Sequence, residues 1–386
     1  MWYTRGMSTR TIALTLRPDA AQADALARLQ RQFNAACTYI SGVAWEAQEF
    51  NKVRLQRLTY ATVRADYGLM AQHAIRAIAV VADSYKTDKE RKHTFRSTAA
   101  VVLDTPRLYR IIHNRASITT LDGRIKVQLG IGGHQRQMLK DAMKLAEADL
   151  VCDEKGRWRL KVCAHCPDAP TSAPRDVLGV DLGIVTIASD SDGVQYSGAK
   201  VLGLRARYAH MRRKLQKKGT SSARKLRRKR SKREHRFQAD VNHVISKAIV
   251  QRAASSSRAV ALEDLTHLRT RVRLHRSQRR THSSWSYADL RAKIAYKGAM
   301  HGVVVVAVDP RYTSQTCSWC GHCERANRQS QSSFLCRSCG FAAHADLNAA
   351  HVIADRGRAA VRLPYIPRPG VSNGAGTSPR SLAVGI

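Results

Sequence analysis

Two sets of side chains in this sequence have types and spacings that could do chemistry. Cys317-Ser-Trp-Cys320 is followed, after fifteen intervening residues, by Cys336-Arg-Ser-Cys339. Each pair allows one tight turn to bring two thiolates onto an ion, and two such turns complete the tetrahedral sulfur set that Zn²⁺ prefers. Gly321 and Gly340 follow the pairs, where a missing Cβ lets the backbone turn and aim its amides at the sulfurs. Four ligands leave no open position, so this zinc is expected to hold structure and not to catalyse. His322 and Cys323 adjoin the second cysteine, but the paired spacing favours the four-sulfur set over either of them. Cys163-Ala-His-Cys166 is a further C-x-x-C with no matching pair after it, and Cys152 would add only a third sulfur. Reduced, partly buried cysteines are expected there.

The second set is three carboxylates at the ends of elements. Asp181 closes an apolar run inside Gly179-Val-Asp-Leu-Gly183, where flanking glycines allow a ligand or a nucleic-acid backbone to come close. Glu263 closes Ala259-Val-Ala-Leu262, and Asp346 opens the helical Asp346-Leu-Asn-Ala-Ala-His351. Taken singly, such acids are ordinary loop charges or helix caps. Taken together they suit phosphodiester hydrolysis, which uses two hard cations about 4 Å apart, and carboxylates are what hold Mg²⁺ or Mn²⁺ in such a pair.

Charge narrows the partner. Of 386 residues, 66 are Lys or Arg and 29 are Asp or Glu, a formal net charge of +37. Self-repulsion on that scale favours a polyanionic partner, and nucleic acid is the default. The excess is densest from Arg205 to Arg236, where Arg212, Arg213, Lys217, Lys218, Lys225, Arg227, Arg228, Lys229 and Arg230 are candidate phosphate contacts. Aromatic residues are sparse in that segment, so base stacking is not its main mode. Its basic runs lack the broad apolar face of a membrane-surface helix. No stretch approaches the ~20 apolar residues of a membrane span, and no apolar run follows Met1-Trp-Tyr-Thr-Arg5 as a signal would require. A cytoplasmic protein with reduced thiols is expected.

The elements that must position these residues fall into regions. Residues 1–166 read as mixed helices and a small β-barrel or sheet. Thr11 to Leu16 alternates like a strand, Asp19 can cap a helix carrying Leu26, Leu29, Phe33 and Ile40, and Ala71 to Tyr85 forms a further helix after a polar connection. Short β-like runs follow at 100–103, 117–120, 124–129, 150–152 and 158–163. The prolines of 167–176 make a linker. From 177 to 310 come three strands, a long basic helical segment (201–254) broken near Gly219, a strand at 258–262, an amphipathic helix at 285–300 and a buried strand at 303–308. That is the RNase H-like order. The cysteine ribbon spans 311–342, a final helix of the core 343–363, and the Pro/Gly/Ser-rich 364–386 is expected to be a disordered tail.

The motifs Gly179-Val-Asp-Leu-Gly183, Leu262-Glu-Asp-Leu-Thr266, Pro310-Arg-Tyr-Thr-Ser-Gln-Thr-Cys317 with its second cysteine pair, and Ala345-Asp-Leu-Asn-Ala-Ala350 resemble, in order, those of TnpB proteins. These are transposon-encoded nucleases long described as probable transposases and related to type V CRISPR effectors. The resemblance covers about 177–356 strongly and the N-terminal part loosely. It implies an α+β, multi-domain chain: an RNase H-like (RuvC) nuclease core with an inserted zinc ribbon, preceded by a helical and β-barrel-like, wedge- or recognition-type region that binds nucleic acid. It further implies that Asp181, Glu263 and Asp346 are the catalytic acids that bind Mg²⁺ or Mn²⁺, and that Cys317, Cys320, Cys336 and Cys339 hold structural zinc. The implied activity is RNA-guided DNA cleavage, with a guide RNA from the transposon end, double-stranded target DNA, a short duplex motif read by the N-terminal region, monomeric action and association with the nucleoid. His344 departs from many relatives, which carry an acid or amide there. A compact type V CRISPR effector, a strand-transfer transposase and a catalytically silent guided regulator remain alternative readings.

Overall fold

The computed structural model describes residues 7–265, 287–363 and 380–382. Two units follow one another along the chain, 1–167 and 168–386. No described helix is long and apolar enough to cross a membrane.

The first unit comprises β1 (Met7–Arg17), α1 (Ala20–Glu46), α2 (Lys52–Asp66), α3 (Ala71–Thr87), β2 (Val101–Leu103), β3 (Tyr109–Ile112), β4 (Arg115–Thr120), β5 (Gly123–Gly130), α4 (Gly133–Asp141), β6 (Lys144–Cys152) and β7 (Trp158–Pro167). Asp19 caps α1 through a reciprocal pair with Gln22, and Leu26, Leu29, Phe33 and Ile40 are fully buried beneath it. The polar connection expected before α3 is instead the helix α2. Asn51 caps it, and its buried face is only Leu55, Thr59 and Val63, too thin a stripe to stand out among polar neighbours. α4 was not expected: its nine residues have no fully buried side chain, and only Met138 and Leu139 pack partly buried against the core. β6 is longer than its apolar end because its register slips between Leu145 and Ala148, which breaks the alternation. The strands form one ladder, β2-β6-β7-β1-β5-β4-β3, with ends at β2 and β3.

The second unit comprises β8 (Asp176–Asp181), β9 (Thr186–Asp190), β10 (Val194–Ser197), α5 (Ala199–Lys218), α6 (Ser221–Ser255), β11 (Arg258–Glu263), α7 (Tyr287–Met300), β12 (Val305–Val308), β13 (Ser333–Leu335), β14 (Ala342–His344), α8 (Ala345–Ala360) and β15 (Arg380–Leu382). The sheet runs β12-β11-β8-β9-β10-β15. β8, β9 and β10 are antiparallel, while β11 is parallel to both β8 and β12. Gly219, in the left-handed conformation, ends α5, and the Thr220 side chain caps α6, which is the break expected near 219. Of the tail, only Arg380–Leu382 falls among the described residues, as a strand in parallel with β10; the rest of the expected disordered segment lies outside them.

The central strands are covered on both faces, as their continuous apolar runs require. Leu178, Val180, Val260 and Leu262 point to a cluster completed by α6 and α7. Val177, Ala259 and Ala261 point to the other side, against Ile353 of α8. Gly179 lies on that second side. A Cβ there would stand 2.5 Å from Ala354 N and closer still to Ala350 O, so α8 rests directly on the β8 backbone. Gly357 repeats the device, where a Cβ would lie 2.5 Å from that of Ala261.

Candidate functional site

The sheet and α8 bring the three acids to one place. β8 and β11 run in parallel with Val180 opposite Leu262, so Asp181 and Glu263 come one step later at neighbouring strand ends, where adjacent strands are about 4.8 Å apart. α8 begins directly after β14 and lies across β8 and β11, which puts Asp346, in its first turn, above those ends. All three acids line one cleft of about 700 Å³, together with Tyr287, Thr313, Ser314 and Arg328.

The electrostatics follow from this crowding. Burial, then the charges of Glu263 and Asp346, push the Asp181 carboxyl up to about 8 against the pull of Arg328. Burial also raises Glu263, opposed by a hydrogen bond from Thr313 and by the charges of Arg356 and Arg328. Arg328 Nη2 stands 3.9 Å from Asp346 Oδ1. Three carboxylates, of which Asp181 lies in the field of the other two and is reluctant to ionise, form a donor set that suits hard divalent cations. They are not a closed single-ion cage. Among the described residues, only the four cysteines have ligand atoms all within 4.8 Å of one another.

Those cysteines meet the geometry of zinc. Cys317 and Cys339 Sγ are 3.8 Å apart, and Cys320 and Cys336 Sγ 3.6 Å; tetrahedral zinc with bonds of ~2.3 Å sets its sulfurs roughly 3.8 Å apart. The Trp319 amide lies 3.4 Å from Cys317 Sγ and that of Cys339 3.5 Å from Cys336 Sγ. Gly321 and Gly340 take positive φ of 77° and 74°, as the knuckle turns need. Cys323 is exposed outside the set, and His322 pairs with Glu324. Cys163 and Cys166 lie on the straight strand β7, three residues apart and so on opposite faces, which rules out a knuckle between them.

The ribbon is tied to the acid cleft. Asn348, fully buried on α8, accepts from Ser318 N at 2.9 Å and donates to Thr316 O at 2.8 Å, clamping the first knuckle two residues from Asp346. Arg356, further along α8, donates to Arg311 O at 2.8 Å. Arg328 reaches the acids from the stretch between the two cysteine pairs. Sequence reasoning missed Thr313, Arg328, Asn348 and Arg356 as parts of this site. Thr313 and Asn348 stand inside the quoted motifs without a role assigned to them, and Arg328 and Arg356 carry no spacing signal.

Of the basic candidates, Arg213, Lys217, Lys218, Lys225, Arg227, Arg228 and Lys229 are exposed on α5 and α6. Arg212 and Arg230 differ. Arg212 pairs with Glu234 at 2.7 Å while 43% of its side chain stays exposed, and Arg230 packs half-buried against Met211, so both reach toward the partner helix of the pair. A second basic surface went unforeseen. β1, β3, β4 and β5 contain no acid, and their cross-strand pairs set Arg115, Gln128 and Arg17 in one row and Arg110, Ser117 and Lys126 in the next. The signal was present in β5, where Arg124 and Lys126 alternate with Ile125 and Val127.

Parts of this chain are similar to known proteins. Residues 287–353 match the family model of the Cas12f1-like TNB domain. A CRISPR-associated endodeoxyribonuclease Cas12f1 of Sulfoacidibacillus thermotolerans is 41% identical over 119 residues, 31% of this chain and 27% of that protein. The putative RNA-guided DNA endonuclease InsQ of Escherichia coli (strain K12) is 27% identical over 220 residues, 53% of this chain and 55% of that protein. The matches thus span about half or less of the length of these relatives. A cryo-EM structure of a Cas12f1–sgRNA–target DNA complex covers 91% of this chain and 99% of its own, with a TM-score of 0.63 at 14% identity, which shows a shared fold. The chain is therefore similar to proteins named TnpB-like and Cas12f1, and its residues 287–353 match the Cas12f1-like TNB domain.

Proposed function

We propose that the chain is an RNA-guided DNA endonuclease that hydrolyses phosphodiester bonds at the cleft of Asp181, Glu263 and Asp346. The observation that carries this reading is the convergence of three acids from two strand ends and a helix start on one cleft, with Asp181 held under the field of the other two. The three carboxylates would hold Mg²⁺ or Mn²⁺, which when bound would supply a hydroxide nucleophile and stabilise the leaving oxygen. Arg328, beside Asp346 and in the field of Asp181, offers a cation to the phosphate drawn into the cleft. The cysteine ribbon would hold zinc as structure, keeping Arg328 and Thr313 over the acids.

Guidance by RNA is supported by the names of the relatives, among them the E. coli RNA-guided endonuclease, and by the basic surfaces of both units. Exposed Lys and Arg on α5 and α6 contact phosphates without reading bases, which suits a protein whose sequence choice is made by pairing. The intact acids favour an enzyme over a silent guided regulator, and the relatives named as endonucleases favour hydrolysis over strand transfer.

The test is cleavage of target DNA in Mg²⁺ by protein carrying its copurified RNA, with that RNA sequenced. Asp181→Ala, Glu263→Ala and Asp346→Ala should each abolish cutting while RNA retention stays at the parental level. A single variant that cuts at the parental rate removes its residue from the set of required ligands. Sequence-specific cutting by protein freed of RNA would refute guidance.

A further inference from the structure

We propose that Thr313 is a positioning residue for Glu263, through which the cysteine ribbon orients a carboxylate that belongs to the sheet. This rests on the reading of the acids as cation ligands. Glu263 is 9% exposed and Thr313 4%. The Thr313 hydroxyl donates to Glu263 Oε1, the one side-chain hydrogen bond that this carboxylate receives among the described residues. The same hydroxyl lies 3.1 Å from Pro310 O. It has a single proton, and the charge-assisted bond to an ionised carboxylate is the stronger of the two.

Several features make this donor rigid. Threonine is β-branched and stiff about its first torsion, so a fixed backbone fixes the hydroxyl. That backbone is fixed: Tyr312 holds a left-handed φ of 60°, and its carbonyl accepts from Gln315 N and Thr316 N at 3.0 Å each and from Thr316 Oγ1 at 2.8 Å. Thr316 O is in turn held by Asn348 of α8, and Cys317 follows directly. A continuous path thus runs from the Asp346 helix through the first knuckle to Glu263. Glu263 has a long side chain at a strand end, and without this bond no hydrogen bond from a described side chain would fix the orientation in which its carboxylate meets a cation. Bonding Oε1 leaves the second oxygen in a set direction. Partners of this kind, which orient a ligand without touching the metal, typically contribute 10–100-fold to metal affinity or activity.

The experiment compares Thr313→Val, which keeps the branched shape and loses the donor, with Thr313→Ser, which keeps the donor. Mn²⁺ binding to the protein carrying its RNA is followed by electron paramagnetic resonance, alongside the Mg²⁺ dependence of cleavage, zinc content and thermal midpoint. Thr313→Val should weaken Mn²⁺ binding by about 10–100-fold and raise the Mg²⁺ requirement by a similar factor, with zinc content unchanged. Thr313→Ser should return both to within roughly threefold of the parental values, since it restores the donor. Parental Mn²⁺ affinity in Thr313→Val overturns the proposal, and so does an equal loss in Thr313→Ser, which would assign the effect to shape. Because Mn²⁺ binding is read without catalysis, parental protein that binds the ion and cuts no DNA would fail the endonuclease reading alone. Parental protein that cuts, beside a Thr313→Val variant with unchanged Mn²⁺ affinity, would fail the positioning role alone.

Discussion

Adding a single methyl group at Gly179 should inactivate the site without touching any acid. Its Cβ would lie 2.5 Å from Ala354 N on α8 and closer to Ala350 O, both backbone atoms that cannot rotate away. An ordinary contact needs about 3.5 Å, so relieving Ala354 N alone takes a retreat of α8 by about 1 Å and relieving Ala350 O takes more, unless the strand sinks. Overpacking of this kind costs typically 1–3 kcal/mol, which a core of this size can absorb. The catalytic cost is larger. Ala350 lies four residues beyond Asp346 on the same helix, so the retreat carries Asp346 away from Asp181 and Glu263. Misplacement of a reacting group by ~1 Å costs on the order of 100-fold in rate. Gly179→Ala protein carrying its RNA should therefore fold, with a thermal midpoint lowered by a few degrees, bind DNA as the parent does, and cut about 100-fold more slowly. A parental cutting rate from folded Gly179→Ala would refute the idea that the close strand–helix contact sets the position of Asp346.

Two further outcomes follow from charge. Asp181 has a folded pKa near 8, above its ordinary value of 3.8. Between those values the folded state holds a proton that the unfolded state has released, so the stability of protein without Mg²⁺ or Mn²⁺ should fall as pH rises through that window. Thermal midpoints without added Mg²⁺ or Mn²⁺ between pH 5 and 8.5, with the ribbon zinc left in place, should show the decline, Asp181→Asn should remove that part of it, and a slope unchanged in the variant would sink the assignment. Replacing Arg213, Lys217, Lys225, Arg227, Arg228 and Lys229 together by Gln should flatten the salt dependence of RNA binding by roughly 0.7–0.9 in log–log slope per lost phosphate contact, with little change in thermal midpoint. An unchanged slope in an electrophoretic titration at several salt concentrations would place the RNA elsewhere.

Local patterns in the sequence were enough for what depends on neighbours along the chain. The paired cysteines with their following glycines announced a four-sulfur cluster, because a knuckle is built within a few residues and its spacing is its geometry. The apolar runs around Leu178, Val260 and Val306 gave the central strands, and Gly219-Thr220 gave the break between two basic helices. α2 and α4 escaped notice because each is largely polar and sets few apolar residues against the core, Leu55 and Val63 in one and Met138 and Leu139 in the other. What only the tertiary structure decided is which distant groups meet. Asp181, Glu263 and Asp346 span 165 positions of the sequence, and no property of any one of them says that a parallel strand pair and a helix seated on Gly179 will bring them to one cleft. The Thr313 hydroxyl, the Arg328 guanidinium and the Asn348 clamp belong to the same class. Each is an ordinary polar residue until packing removes water from around it and leaves one partner within reach, and Arg212 shows the converse, a surface cation by sequence that the fold gives to Glu234.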